Sequence, residues 1–294
     1  MMNIMTNPFV VGDYTSRNLF CGRERERTVL MQEILAEHNI ALIGPWRIGK
    51  NSLLTHTFSF PDVKDNYDVI SLNISNCKSL TDFTAELRNV VNKKIQSRGS
   101  DFNIPKRMSL NGIMTFLSNN VRPVIICINE FQRITQFKED EAQLKIQSLV
   151  MNYNSIRFIF CGSDIKEMEE LFLSALNPFY KKATLIRLEP IELMVYTEFA
   201  QHAFDLSRKH VTSEMIEKIY NRFDGITWYM QMVLHVLYNM TPANSYSETP
   251  MIELAIEQII NYQRYAYQEI YKKTNNKPST IPKDKFFEIW LEEK

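Results

Sequence analysis

Five short apolar runs alternate with helix-like stretches up to residue 190, and this alternation constrains the fold more than any other feature. The runs predict strands over residues 39–43, 67–74, 123–128, 155–161 and 184–188. The run at 123–128 is continuously apolar, as expected of a parallel strand that is covered on both faces. Strands that alternate with helices imply crossover connections and a mainly parallel sheet flanked by helices. We therefore predict an α/β fold.

The strand signal stops after Pro190, and helical spacing of apolar residues continues alone. This pattern predicts four helices, over residues 192–206, 213–223, 228–238 and 251–271. The chain is accordingly predicted to divide into an α/β core at 1–190, an all-helical domain at 191–271 and a C-terminal tail at 272–294. The tyrosines at 262, 265 and 267 are interpreted as helix packing.

The charge balance argues against a strong general attraction to nucleic acid or membrane, because 34 basic residues match 34 acidic ones. No apolar run approaches the length of about 20 residues that a membrane span needs. The four cysteines are scattered and form no CxxC pair, so a zinc site is not expected. No basic region followed by an apolar stretch opens the chain, so we expect no signal peptide and a cytoplasmic location.

One stretch has the spacing G-x-x-x-x-G-K, which is typical of a phosphate-binding loop (P-loop). A predicted apolar strand precedes it and a helix follows, as such a loop requires. The glycines let the backbone wrap with its N–H groups directed inward, where the helix N-terminus also favours an anion. The candidate nucleotide-binding residues are Gly44, Pro45, Trp46, Arg47, Ile48, Gly49, Lys50, Asn51 and Ser52.

Lys50 is the residue of this stretch that would place a positive charge on the β- and γ-phosphates. The next position departs from the usual pattern, because Asn51 stands where Ser or Thr normally supplies a hydroxyl to Mg²⁺. The adjacent Ser52 is a substitute ligand, although its helical position turns it away by about 100°.

A second polar pair, Asn129 and Glu130, follows the predicted strand at 123–128. Ligands of open α/β sheets bind at the carboxyl ends of strands. Glu130 is therefore the candidate general base for an attacking water, and Lys50 is the other candidate catalytic residue. Asn129 occupies the place of the Asp that usually orders the water shell of the metal.

Both predicted metal-site residues, Asn51 and Asn129, are thus amides. Loss of a carboxylate beside a divalent ion is worth on the order of a few kcal/mol at an effective dielectric constant of about 20. Nucleotide binding can survive this change, whereas hydrolysis should suffer more. Weaker candidates are Ser163, read either as a γ-phosphate contact or as part of a helix-capping turn, and the basic residues Lys181, Lys182 and Arg187.

Several motifs together resemble the archaeal-ATPase group, prokaryotic P-loop ATPases of the STAND branch that are related to AAA+ proteins. The resemblance covers roughly the first 240 residues. Its motifs lie at 7–9, 22–24, 44–50, 129–132, 162–163, 178–180 and 225–231. It implies an ATPase core with an inserted central strand, a helical lid, and adenine contacts from the region of Arg23. It also implies a winged-helix domain, for which the tail at 272–294 is too short and would be a remnant.

The sequence predicts ATP as the nucleotide, with Mg²⁺ at a weakened site, and ATP preference comes from the resemblance. The favoured hypothesis is an ATP-binding switch that a protein partner reads. The alternatives are an active ATPase of low turnover, a DNA-associated ATPase, and an interaction module that no longer uses nucleotide. From Arg264 onward seven basic residues face five acidic ones, so a nucleic-acid partner is possible but unsupported.

Overall fold

The computed structural model describes residues 7–12, 14, 16–273 and 284–294. It forms two compact units. One unit is Arg23–Glu189, and the other joins the described residues of Met1–Gly22 to those of Pro190–Lys294. The sequence prediction had placed residues 1–22 with the core, whereas the structure groups the described part of this segment with the later helices. Part of the predicted tail, residues 274–283, lies outside the described residues.

A parallel five-stranded sheet forms the centre of the unit Arg23–Glu189, in the order β2-β3-β4-β1-β5. Its strands are β1 (Ile40–Ile43), β2 (Asp68–Asn73), β3 (Val124–Asn129), β4 (Ile156–Gly162) and β5 (Thr184–Arg187). Strand β4 is inserted between β1 and β3, and its residues pair in parallel with both. The predicted α/β class with a parallel sheet is therefore confirmed.

Seven α-helices accompany this sheet within the described residues of the unit. They are α1 (Glu24–Leu35), α2 (Lys50–Phe58), α3 (Pro61–Lys64), α4 (Leu80–Gln96), α5 (Leu110–Ser118), α6 (Ala142–Asn152) and α7 (Ile165–Leu173). Helix α4 packs against β2, α6 against β4 and α7 against β1. Because helices cover the sheet, strands β1 and β3 are buried almost throughout, which explains their continuous apolar sequence.

The second unit is mainly helical. Its elements are α8 (Leu193–Asp205), β6 (Lys209–His210), α9 (Ser213–Arg222), α10 (Thr227–Met240), β7 (Ser245–Tyr246), α11 (Met251–Lys273) and α12 (Lys285–Glu292). Helix α11 packs against α10 and α12. Among the described residues, no helix of either unit has both the length and the apolar character needed to cross a membrane.

The segment before Arg23 is anchored in this helical unit through a motif that the sequence singled out. Phe9 is fully buried and its ring lies 5.4 Å from that of Phe204. Asn7 donates a hydrogen bond to the carbonyl of His235, and its own side-chain oxygen accepts from the N–H of Phe9. Packing and hydrogen bonding within the helical unit thus account for the motif at Asn7 and Phe9.

The sequence analysis interpreted the tyrosines at 262, 265 and 267 as helix packing, and the structure agrees only for Tyr267. Tyr267 is buried and its ring lies 5.1 Å from that of Phe287. Tyr262 and Tyr265 lie on the solvent side and are 91% and 76% exposed. Their spacing places them on a different face of the helix from Tyr267, so proximity in sequence was a poor guide to their burial.

Candidate nucleotide-binding site at the carboxyl edge of the sheet

The predicted phosphate loop lies between β1 and α2, as its sequence context required. Gly49 has a φ of 98°, a left-handed conformation that glycine adopts without the strain of a side chain. Gly44 follows β1 closely, and a Cβ there would lie 2.8 Å from the Leu188 carbonyl oxygen. The backbone conformation therefore favours glycine at position 49, and the lack of space for a side chain favours glycine at position 44.

Lys50 is the first residue of α2 and is only 9% exposed. Its Nζ donates hydrogen bonds to the carbonyl oxygens of Gly44, at 2.7 Å, and Pro45, at 3.0 Å. Burial lowers the pKa of Lys50, and the nearby carboxylate of Glu130 opposes that shift. The ammonium group is thus directed into the loop, where its partners are neutral carbonyl groups.

The start of α2 contributes backbone donors to the same place. The first N–H groups of a helix have no partner within the helix, and the aligned peptide dipoles make this end positive. Asn51 lies in this first turn with an exposed side chain, and Ser52 beside it is half-buried. The predicted backbone cradle and the predicted side-chain ligands therefore share one helix end.

The middle of the loop presents a stacked pair to solvent. Trp46 is 47% exposed, and the guanidinium carbon of Arg47 lies 3.9 Å from the centre of its ring. Arg47 has a φ of 67°, which is uncommon for a residue with a side chain. The Trp46 side chain therefore packs against Arg47 while it remains partly open to solvent.

Arg23, which the resemblance assigns to adenine, contacts the phosphate loop instead of facing solvent. Its side chain is buried, and one guanidinium nitrogen lies 3.4 Å from the carbonyl oxygen of Ile48. The other terminal nitrogen donates to Glu26 Oε1 at 2.7 Å. Arg23 thus supports the loop, and its contact with adenine stays a prediction.

Asn129 and Glu130 lie at the same edge of the sheet as the loop. The pairing of Asn129 with Cys161, and of Ile43 with Gly162, aligns the ends of β3, β4 and β1. Asn129 Nδ2 donates to Ser71 Oγ of β2 at 3.2 Å. Glu130 Oε2 accepts from Gln132 Nε2 at 2.8 Å and from Ser163 Oγ at 2.6 Å.

Three ionisable groups, Lys50 of α2, Glu130 after β3 and Cys161 of β4, lie close enough to affect one another's charge. Burial raises the pKa of the Cys161 thiol to about 12, while the charge of Lys50 lowers it and that of Glu130 raises it. Such a thiol stays protonated at neutral pH and is not a nucleophile. The chemistry available at this edge therefore lies with the Lys50 ammonium and the Glu130 carboxylate.

The donor set of this edge does not match one that holds Mg²⁺ through protein carboxylates. Magnesium sites normally use one or two carboxylates together with substrate phosphates. Here Asn51 and Asn129 offer amides, and Glu130 already accepts two hydrogen bonds on one oxygen. No cluster of three His, Cys, Asp or Glu residues suited to a metal occurs within the described part of the chain.

The weaker candidates fall into separate roles. Asp164 caps α7 by accepting a hydrogen bond from the N–H of Glu167, while the neighbouring Ser163 contacts Glu130. Arg187 pairs with Glu169. The Lys181 ammonium lies 5.1 Å from the centre of the Tyr180 ring. The structure thus joins Ser163 to the site through Glu130 and gives Arg187 a different partner.

Two residues that contact the candidate site were not predicted as site residues from the sequence. Ser71 was read only as part of a strand, yet its hydroxyl meets Asn129. Gln132 is buried although it is polar, and it contacts both Glu130 and Ser163. Gln132 belongs to the 129–132 motif of the resemblance, but local pattern does not reveal that its side chain is buried.

No protein-family model matches the chain, and no curated protein matches it in sequence. Among solved structures, the Walker-type ATPase PABY2304 of Pyrococcus abyssi superposes with a TM-score of 0.69 and 16% identity, over 91% of this chain and 80% of that one.

Two structures from Aeropyrum pernix are also similar. The ORC2 protein in its ADPNP–ADP complexes gives a TM-score of 0.63 with 12% identity, over 86% of this chain and 71% of that one. The ORC1 protein in complex with DNA gives 0.61 with 10% identity, over 96% and 78%. Identities this low establish a common fold and leave the activity of this chain open. The chain therefore shares the fold of this Walker-type ATPase and of the two ORC proteins.

Proposed function

We propose that the chain binds ATP through the loop Gly44–Asn51 and acts as a nucleotide-dependent switch. The observation that carries this proposal is the buried Lys50 ammonium, which points into the loop and donates hydrogen bonds to two neutral carbonyl oxygens there. A phosphate oxygen is a stronger partner for an ammonium group than a carbonyl oxygen, because the hydrogen bond is then charge-assisted on both sides. A polyphosphate would therefore displace Lys50 from Gly44 and Pro45.

The switch would follow from this exchange of partners. The hydrogen bonds of Lys50 to the carbonyls of Gly44 and Pro45 hold the ammonium inside the loop, and a bound polyphosphate would compete with these carbonyls for it. With nucleotide, the first turn of α2 and Lys50 would share the phosphates. A ligand shifts a conformational equilibrium only by its difference in affinity for the two states. The charge of the phosphates supplies that difference here.

Weak hydrolysis is part of the same proposal. Asn51 and Asn129 would hold Mg²⁺, if at all, through neutral amides, so the metal would depend mainly on the phosphates of the nucleotide. When bound, Mg²⁺ neutralises phosphate charge. The residues of the chain itself would bind the polyphosphate through Lys50 and the α2 N-terminus, which does not require an acidic metal ligand.

Isothermal titration of the purified chain with ATP, ADP, GTP and inorganic triphosphate, each with and without Mg²⁺, tests the proposal. We expect binding of ATP and triphosphate that persists without Mg²⁺, with ATP preferred to GTP. Absence of heat and of any thermal shift with all four ligands would overturn it, because a ligand that binds the native state must raise its unfolding temperature.

An active ATPase of low turnover is the second candidate, and the position of Glu130 beside Ser163 favours it. A carboxylate at this edge is able to accept a proton from an attacking water. Phosphate release by the wild type and by the Glu130→Gln variant separates the two candidates. A basal rate that falls in the variant supports the enzyme, whereas ATP binding without a measurable basal rate supports the switch.

The broader predictions rest on less direct support. Assignment to the STAND branch rests on the motifs quoted above, and a cytoplasmic location fits the four free cysteines. A protein partner would read the nucleotide state, and an affinity capture with and without ATP would test for it. DNA binding, seen for the ORC1 protein of Aeropyrum pernix, is tested here by a salt-dependent mobility shift.

A further inference from the structure

Three side chains from two different segments form a closed cluster beside the phosphate loop. Ser163 Oγ donates to Glu130 Oε2 at 2.6 Å, and Gln132 Nε2 donates to the same oxygen at 2.8 Å. Gln132 Nε2 also lies 3.4 Å from Ser163 Oγ. We call these three residues the Glu130 cluster. Glu130 takes a left-handed backbone conformation, with a φ of 59°, at its centre.

Gln132 is placed in this cluster at a cost. It is only 5% exposed, and its Oε1 has no hydrogen-bond partner among the described residues. A buried, unpaired acceptor costs about 1–3 kcal/mol. Gly162 leaves the space for that oxygen, because a Cβ at Gly162 would lie 2.9 Å from it. The donor side of the amide offsets this cost through its contacts with Glu130 and Ser163.

The Ser163 hydroxyl has one proton to donate. In the structure that proton goes to the Glu130 carboxylate. Ser163 directly follows Gly162, which pairs with Ile43 at the end of β1, so the serine lies beside the start of the phosphate loop. The third phosphate of a bound nucleotide would be a second anionic acceptor within this neighbourhood, and the two acceptors would compete for one proton.

We propose that Gln132 is a positioning residue that holds the Glu130 carboxylate as acceptor of the Ser163 proton. The Glu130 cluster then sets how strongly the site prefers a nucleoside triphosphate to a diphosphate, because only the triphosphate competes for Ser163. This inference rests on the proposed binding of ATP. Removal of the Gln132 amide frees the Glu130 side chain to change rotamer, which weakens its hold on Ser163 and favours the triphosphate.

The test is titration of ATP and ADP, in buffer containing Mg²⁺, against the wild type, Gln132→Met, Ser163→Ala and the double variant. In Gln132→Met we expect the ratio of the ADP Kd to the ATP Kd to rise about threefold or more, since part of a charge-assisted hydrogen bond is released. In the Ser163→Ala background the same change should leave the ratio unaltered. Gln136→Met, an exposed glutamine of the same 3₁₀ turn, is the matched control.

An unchanged ratio in a folded Gln132→Met variant would overturn the inference. Equal changes in ATP and ADP affinity in this variant would also overturn it, because they indicate a purely structural role. The same change of the ratio in the Ser163→Ala background would overturn it as well. If Gln132→Met does not unfold cooperatively, Gln132→Leu takes its place, because it removes the same amide without burying a charge and should move the ratio in the same direction. Failure of the wild type to bind either nucleotide would overturn the proposed function and this inference together, whereas binding with an unmoved ratio overturns the inference alone.

Discussion

Buried charged groups at the two ends of the five-stranded sheet have different kinds of partner. At the amino edge, the buried Asp68 accepts hydrogen bonds from Arg98 and Asn120, so its charge is paired. At the carboxyl edge, the buried Lys50 ammonium donates to carbonyl oxygens and forms no salt bridge within the described part of the chain. Both groups belong to the same unit, with Asp68 at the start of β2 and Lys50 at the start of α2.

The difference separates stability from binding. A paired buried charge stabilises the fold only while its partners remain, because a lone charge in the interior is costly. A buried ammonium with neutral partners holds its charge for a ligand at some expense to stability. The amino edge thus contributes to the stability of the fold, whereas the carboxyl edge is the one that we propose binds an anion.

The largest expected effect is on nucleotide affinity at the carboxyl edge. Lys50→Met removes the ammonium while keeping a side chain of similar length. We expect the Kd for ATP to rise by about 100-fold or more, because charge-assisted contacts to phosphate are lost. Isothermal titration measures it, with the exposed Lys64→Met of α3 as the matched control. Equal affinity in the Lys50 variant and the wild type would remove the basis of the comparison.

The next effect concerns stability at the amino edge. Asp68→Asn removes the charge that Arg98 and Asn120 engage, and we expect the free energy of unfolding to fall by about 2 kcal/mol. ATP affinity should stay unchanged. Urea unfolding and titration of the same preparations check both statements, with the exposed Asp65→Asn as control. A loss of ATP affinity without a loss of stability would reverse the roles assigned to the two edges.

This stability difference has a defined pH dependence. Although burial alone would raise the pKa of Asp68, hydrogen bonds from Arg98 and Asn120 bring it below the ordinary value of 3.8. A lowered folded-state pKa contributes stability above the unfolded-state pKa, and this contribution is lost as pH falls through the folded-state value. The gap between wild type and Asp68→Asn should therefore close in acid below about pH 3.8.

A smaller effect is expected when Asn51 and Asn129 are replaced by the residue types that usually hold Mg²⁺ at these positions. The double variant Asn51→Thr with Asn129→Asp adds a hydroxyl and a carboxylate beside the phosphates. We expect phosphate release in Mg²⁺ to rise about tenfold. ATP binding should also become more dependent on Mg²⁺. Each single variant is the control, and a double variant with an unaltered rate and unaltered Mg²⁺ dependence would show that these positions do not face the metal.

The smallest expected effect is on the pH dependence of stability at Lys50. Burial lowers the pKa of Lys50 below its ordinary value of 10.5, so the unfolded chain binds the proton more tightly. The unfolding free energy of the wild type should consequently rise, relative to that of Lys50→Met, as pH increases towards 10.5. Urea unfolding at pH 8 and pH 10 measures the difference. A difference that stays constant between pH 8 and pH 10 would contradict the account of a buried ammonium with a lowered pKa.

The sheet could be predicted from the sequence because burial on both faces leaves a direct trace. The run at 123–128 corresponds to β3, Val124–Asn129, with a shift of one residue at each end. The loop was equally visible, since Gly44, Gly49 and Lys50 meet backbone and charge requirements that few residue types satisfy. Local chemistry decided these features, so local pattern was sufficient to find them.

Features that depend on distant contacts could not be predicted in the same way. The burial of Phe9 depends on Phe204 and Tyr238, nearly the whole chain away in sequence. Gln132 lies in a 3₁₀ turn, and Gly162 at the end of β4 leaves room for its side-chain oxygen. Periodicity reports which face of an element is apolar, but it does not report which polar side chain a neighbouring strand will enclose.

The central claim is that the Lys50 ammonium exchanges its carbonyl partners for a phosphate. A crystal structure of the chain with a non-hydrolysable ATP analogue tests it most directly. The account predicts Lys50 Nζ within hydrogen-bonding distance of a β- or γ-phosphate oxygen and released from the carbonyls of Gly44 and Pro45. A nucleotide bound elsewhere, with Lys50 still held by both carbonyls, would contradict it.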